Sequence, residues 1–152
     1  MKNLLKKTLL SILGINVLSS CGALYASPHA DFEVKGRVSD KDGNPIQGIK
    51  VDLCEYNRQE DEYYTLLSDT VRTDKDGVFH IRETLINVGD KAILGFNDID
   101  GEDNGGVFES KYMQVPVVQV SEGKWNDSWD EGDYAVPEEV EVTLYHKTDN
   151  GE

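Results

Sequence analysis

Sulfur chemistry is almost absent from this chain. Its 152 residues hold two cysteines, Cys21 and Cys54, too few for a disulfide framework or for the three-cysteine set that grips an iron–sulfur cluster. Basic residues are scarce too: 15 Lys and Arg stand against 29 Asp and Glu, for a net charge of -14. Lys2, Lys6 and Lys7 precede every acid, so loss of the first twenty residues leaves 12 basic against 29 acidic groups, a net charge of -17. That balance repels nucleic acid and anionic lipid surfaces. After the N-terminal run, no stretch approaches the roughly 20 apolar residues of a membrane span. The three histidines, His29, His80 and His146, form no HExxH-type cluster, and no serine sits in a G-x-S-x-G elbow. With 29 acids, paired carboxylates arise from density alone and give no specific glycosidase signal. What is present, 9% aromatics and several Val/Ile runs, argues against general disorder. One acidic soluble domain with no catalytic motif is the expectation.

The first twenty residues have the layout of a secretory signal, with lysines, the apolar run TLLSILGINVL and small residues before Cys21. An ordinary signal cut nearby would suit that layout. Leu18-Ser19-Ser20-Cys21 also resembles a bacterial lipobox, and the resemblance implies that Cys21 becomes an acylated N-terminus. Acyl chains bury CH₂ groups at roughly 0.8 kcal/mol each, so a multiply acylated Cys21 anchors a domain without a transmembrane helix. Gly22 stands where an inner-membrane retention signal places Asp, which implies the outer membrane of a Gram-negative cell. If Cys21 carries lipid, Cys54 has no intramolecular partner. Its place beside Leu53 in a strand-like run suits a small buried residue better than a reactive thiol.

Alternation dominates the rest. Residues 21–31 read as a lipidated tether, 32–147 as the folded domain and 148–152 as a flexible tail. Phe32, Val34, Gly36 and Val38 alternate with Glu33, Lys35, Arg37 and Ser39, the pattern of a half-buried strand. Asp40-Lys41-Asp42-Gly43-Asn44-Pro45 reverses the chain, and Asp74-Lys75-Asp76-Gly77 does so again. Further strands are expected at Ile49–Leu53, Tyr63–Thr73, Val78–Ile81, Lys91–Phe96, Tyr112–Val120, with an edge or bulge at Pro116, and Val140–Leu144. EYNRQEDEYY offers a short helix. The pattern predicts an all-β, seven-stranded antiparallel β-sandwich.

The turn motifs carry a resemblance. Gly36–Val51 (GRVSDKDGNPIQGIKV) followed by Thr73-Asp74-Lys75-Asp76-Gly77-Val78-Phe79 resembles the carboxypeptidase regulatory-like domain, a transthyretin-like sandwich. This covers about residues 32–96 and implies architecture without activity. With the lipobox, Tyr25–Phe32 (YASPHADF) and Asp98–Phe108 (DIDGEDNGGVF), the chain is similar to the radical-SAM-associated lipoproteins of Gram-negative bacteria. That resemblance implies a neighbouring radical-SAM partner enzyme and no radical chemistry here. The expected function is an envelope-anchored, non-enzymatic lipoprotein that binds an envelope protein or glycan. The alternative is a small hydrolase of the transthyretin-like hydroxyisourate type, which would need a His/Arg constellation around His80 or His146 and a C-terminal tetrapeptide signature.

Two further groups of residues stand out. Asp98, Asp100, Glu102 and Asn104, with Asp103, concentrate the oxygen ligands that Ca²⁺ takes. Neither EF-hand framing closes: counting from Asp98 puts Asp103 where the turn glycine belongs, and counting from Asp100 puts Lys111 at the twelfth position. A solvated acidic loop suits the same residues, and Asp40, Asp42, Asp74 and Asp76 read as turn formers. Trp125, Trp129 and Tyr134 sit in an acidic, glycine-containing stretch that either caps an open end of the sandwich or offers rings to a sugar or partner.

Overall fold

The structure, a computed structural model, describes residues 27–66, 71–124 and 128–147. The leader, Cys21, Trp125 and the tail 148–152 lie outside the described residues. The fold is a two-sheet, all-β sandwich. Its strands are β1 (His29–Ser39), β2 (Lys50–Asn57), β3 (Glu62–Thr65), β4 (Val71–Arg72), β5 (Val78–Leu85), β6 (Lys91–Asn97), β7 (Lys111–Pro116), β8 (Val118–Ser121), β9 (Asp130–Ala135) and β10 (Val140–Thr143). Among the described residues the one helical turn is a 3₁₀ segment at Asp103–Gly105.

The first sheet is organised by β1. Strand β5 pairs antiparallel along one edge, from Ala30 opposite Leu85 to Arg37 opposite Val78. Two short strands share the other edge in succession, both parallel to β1: β9 along 29–33 and β10 along 36–39. Strand β8 adds to β9. In the second sheet β2 pairs with β6, which pairs with β7, while β3 and β4 take successive halves of the free edge of β2. The alternation in β1 holds, with Ala30, Phe32, Val34, Gly36 and Val38 buried. These meet Val51, Leu53, Leu94, Phe96 and Val115 from the second sheet in a single core. Phe79 and Phe96 bridge the layers edge to face at 5.6 Å. Gly36 makes room for that contact, because a Cβ there would lie 2.6 Å from the Phe79 ring and 2.3 Å from the Val140 carbonyl oxygen.

Three differences from the expected seven antiparallel strands have physical causes. The expected strand at 112–120 divides at Pro116, which cannot donate to a ladder; β7 ends there and Val117 carries the chain across to the first sheet. The stretch expected as a loop around Trp129 and Tyr134 contains β9. Its pairing with β1 is parallel, which local alternation cannot reveal. EYNRQEDEYY is a hairpin and no helix: Asp61 takes φ 56°, and Tyr56 and Tyr63 face each other across β2 and β3. The expected strand at 63–73 is seen as β3 and β4, with 67–70 outside the described residues.

The turns are held by aspartates. Asp40 Oδ1 accepts the Asp42 and Asn44 amides at 2.8 and 2.9 Å, and Asp74 Oδ1 accepts those of Asp76 and Val78 at 2.9 Å each. The buried Thr73 hydroxyl donates to Ile46 O at 2.7 Å and accepts the Ile49 amide at 3.0 Å, locking the loop into β2. Val142 is almost fully buried in β10 whereas Glu141 is exposed. Val142→Asp should therefore cost about 3 kcal/mol or more by placing an unpartnered carboxylate in the core. Glu141→Gln should be near neutral; thermal melts of the two variants check the assignment, and equal melting temperatures would refute it.

Candidate binding face built by tyrosines

In β2 the alternation that sends Val51 and Leu53 into the core sends Asp52, Cys54 and Tyr56 to the outer face of the second sheet. That face is roofed. Tyr63 from β3 and Tyr112 from β7 stack with centroids 4.2 Å apart and planes 9° from parallel. Tyr56 leans on Tyr63 at 5.0 Å. Tyr112 can lie across β6 because its opposite residue there is Gly95. A Cβ at Gly95 would come within 2.9 Å of the Tyr112 ring and 2.8 Å of Cys54 Sγ. All three rings stay partly open to solvent, so the face presents an aromatic surface on an otherwise polar sheet. The Tyr56 hydroxyl donates to Asp61, and this bond pushes the phenol pKa up.

Beneath the roof lie two groups that would ordinarily seek water. Asp52 is only 3% exposed. Lys50 Nζ pairs with its Oδ2 at 2.9 Å, while Oδ1 is buried without a hydrogen-bond partner. Cys54 is a buried free thiol whose pKa is pushed up to about 11, first by desolvation and then by the negative charge of Asp52. A thiol so poised holds its proton at neutral pH and is a poor nucleophile. The expectation that Cys54 is buried holds, but it lies under tyrosines on the outside of a sheet, apart from the inter-sheet core.

The acidic loop organises itself around backbone bonds. Asp98 Oδ1 accepts the Asp100 amide at 3.2 Å and Oδ2 accepts the Phe108 amide at 2.8 Å. Asn104 Nδ2 donates to Asp100 Oδ2 at 2.5 Å, with Asn104 itself at φ 54°. Glu102 precedes the 3₁₀ turn and makes no side-chain cap to it. Asp100 and Asn104 thus meet, and Asp98 is turned toward Phe108. Among the described residues no three carboxylate, imidazole or thiol groups are gathered so as to hold a metal ion.

The histidines go to separate places. His29 Nδ1 lies 3.2 Å from Ser27 O, His80 Nε2 is 2.8 Å from Glu33 Oε1 on the outer face of the first sheet, and His146 stacks on Phe108 at 4.4 Å. Glu33, which also pairs with Lys35 at 2.6 Å, has its pKa lowered by the bonds from Lys35 and then His80. Trp129 is exposed and Tyr134 packs against the core, so those two expected aromatics do not form one surface. The tyrosine cluster that does form escaped the sequence reading; its available signal was the spacing of Tyr56 and Tyr63 around a turn-forming NRQED.

No family model matches the chain, and comparison with curated proteins gives no match. Among solved structures it is similar to chlorocatechol 1,2-dioxygenase from Pseudomonas putida, at 14% identity and a TM-score of 0.44 over 80% of this chain and 63% of that one. It is also similar to 3-chlorocatechol 1,2-dioxygenase from Rhodococcus opacus 1CP, at 14% identity and a TM-score of 0.40 over 77% and 60%. The chain therefore spans less than two thirds of either protein's length.

The bonding of the acidic loop leads to a metal prediction. With both Asp98 oxygens already accepting amides, millimolar Ca²⁺ should raise the melting temperature no more than Na⁺ of matched ionic strength, the signature of charge screening. A calcium-specific rise that Asp98→Asn with Asp100→Asn abolishes would establish a site instead.

Proposed function

We propose that the protein is an envelope-anchored lipoprotein, held by lipid on Cys21, whose transthyretin-like sandwich is a non-catalytic binding module. The tyrosine face of the second sheet is its recognition surface, and its occupant is an envelope protein or glycan. The observation that carries this reading is the stacked Tyr63–Tyr112 pair with Tyr56 beside it, partly exposed on a rigid sheet. Tyrosine supplies large contact area at small conformational cost, which is why such rings concentrate binding energy. A sheet-borne cluster is also better positioned than one on a loop. The similarity to radical-SAM-associated lipoproteins makes a radical-SAM enzyme the first partner to try.

Two experiments test the two halves of this reading. Tyr63→Ala and Tyr112→Ala should each weaken capture of the native-membrane partner at least tenfold, the scale of a binding hot spot of about 1.4 kcal/mol or more. Tyr145→Ala, which removes an exposed ring from another part of the surface, should leave capture unchanged. Equal capture by all three would refute the face. For the anchor, Cys21→Ala should abolish metabolic incorporation of palmitate and leave an unprocessed precursor, and unchanged labelling would remove the lipid from the account.

A further inference from the structure

The tyrosine roof closes over a sulfur atom. Cys54 is flanked in the second sheet by Thr65 on β3 and Ile93 on β6, and it is only 6% exposed. Its thiol donates weakly to the Asp52 carbonyl at 3.8 Å. Toward Tyr112 the space is full: a carbon placed where a Gly95 Cβ would stand lies 2.8 Å from Cys54 Sγ and 2.9 Å from the Tyr112 ring, closer than either allows. The closed roof leaves no room there for a group added to the sulfur. Its closure also carries a cost that opening relieves. Tyr56 is tied to Asp61 through its hydroxyl, whereas Tyr112 reaches from the edge strand β7 across Gly95 to a stack on Tyr63. Beneath it, in register with Gly95, Asp52 keeps Oδ1 buried without a partner. Swinging Tyr112 outward admits water to that oxygen and recovers part of the cost. The same swing uncovers Cys54. Under the closed roof, burial and then the Asp52 charge hold the thiol protonated, and water relieves both.

We propose that Cys54 is a thiol-modification site that dismantles the tyrosine face: with the roof open it exchanges with a small disulfide, and the group it acquires keeps Tyr112 from closing on Tyr63. The exchange balances without a further reagent. Cys54 loses its proton to water, and its thiolate attacks one sulfur of the disulfide. That S–S bond breaks, a mixed disulfide forms at Sγ, and the other half leaves as a thiolate that takes up a proton. Cysteine is oxidised and the departing sulfur is reduced. A thiol runs the exchange backwards and lets the roof close. Compartments outside the cytoplasm hold such disulfides, so the envelope placement proposed above supplies the reagent.

As control of a binding face this inference rests on the proposed function, and the test separates the two. The full chain is incubated with 2-hydroxyethyl disulfide, an uncharged probe that the acidic protein does not repel. Adducts are located by peptide mass, which keeps Cys54 apart from Cys21. In native buffer Cys54 should gain the adduct at a rate that changes little in dilute urea, the mark of a local opening. Tyr112→Ala should speed the reaction at least tenfold. The adduct should remove the near-ultraviolet circular dichroism of the stacked tyrosines while the far-ultraviolet β signal stays, and dithiothreitol should restore it. Cys54→Ser should show no such loss. A reaction that proceeds only as fast as the whole chain unfolds, with the full urea dependence of unfolding, would overturn the opening. An adduct on Cys54 that leaves the near-ultraviolet signal intact would overturn the switch. Partner capture is read separately: unchanged capture after loss of that signal defeats the tyrosine face as the recognition surface and leaves the cysteine switch standing.

Discussion

Strand β1 is the constraint on which the rest of the molecule depends. It is eleven residues long and has polar backbone groups along both edges, and each buried amide and carbonyl must find a partner. On one edge β5 supplies an unbroken ladder. On the other, no single segment spans the length, and the consecutive strands β9 and β10, joined by residues 136–139, divide the work. The core is closed only after the last strand docks, because Val140 and Val142 of β10 complete the wall that Phe32, Val34 and Val38 begin. The contacts that secure the fold therefore join residues a hundred positions apart, the kind of long-range pairing that slows folding.

A chain with so many acids and no disulfide among its described residues must still hold its loops, and it uses the acids themselves. Asp40 and Asp74 each accept two backbone amides within their own turns, while Asp98 and Asp130 each accept one amide two residues on and one from farther away in the chain, Phe108 and Lys124. Charged acceptors make stronger bonds than neutral ones. The bonds favour the ionised form, so the Asp40 carboxyl, bonded first by the Asn44 side chain, and the Asp130 carboxyl, bonded first by the Gly132 amide, both have lowered pKa values. Much of the negative charge that suggests a cation site is thus already doing structural duty within the turns.

The outer face of the second sheet shows a different economy. A solvent-facing sheet surface ordinarily carries polar side chains with free access to water. Here Gly95 leaves a gap, Tyr112 lies over it against Tyr63, and Asp52 and Cys54 end up buried on the outside of the protein. Burying Asp52 with one oxygen unpartnered costs stability, and Lys50 recovers part of it. On the proposed binding face, the exposed rings that impose this cost are the ones a partner would contact.

The sequence by itself determined the inward residues of β1, β5, β6 and β10, the two Asp-Gly turns and the all-β class, because each depends on a period of two or on turn chemistry within a few residues. It misread EYNRQEDEYY and the stretch around Trp129 because hairpin and parallel pairing are decided by partners elsewhere in the chain. The candidate loop Asp98–Asn104 was legible as acidic, but the turning of Asp98 onto the Phe108 amide is decided only by folding. The tyrosine face is mostly tertiary: the spacing of Tyr56 and Tyr63 is local, but nothing in the sequence announces that Tyr112 joins them across Gly95. Alternation says which side of a strand a residue takes, and strand order alone decides what it meets there.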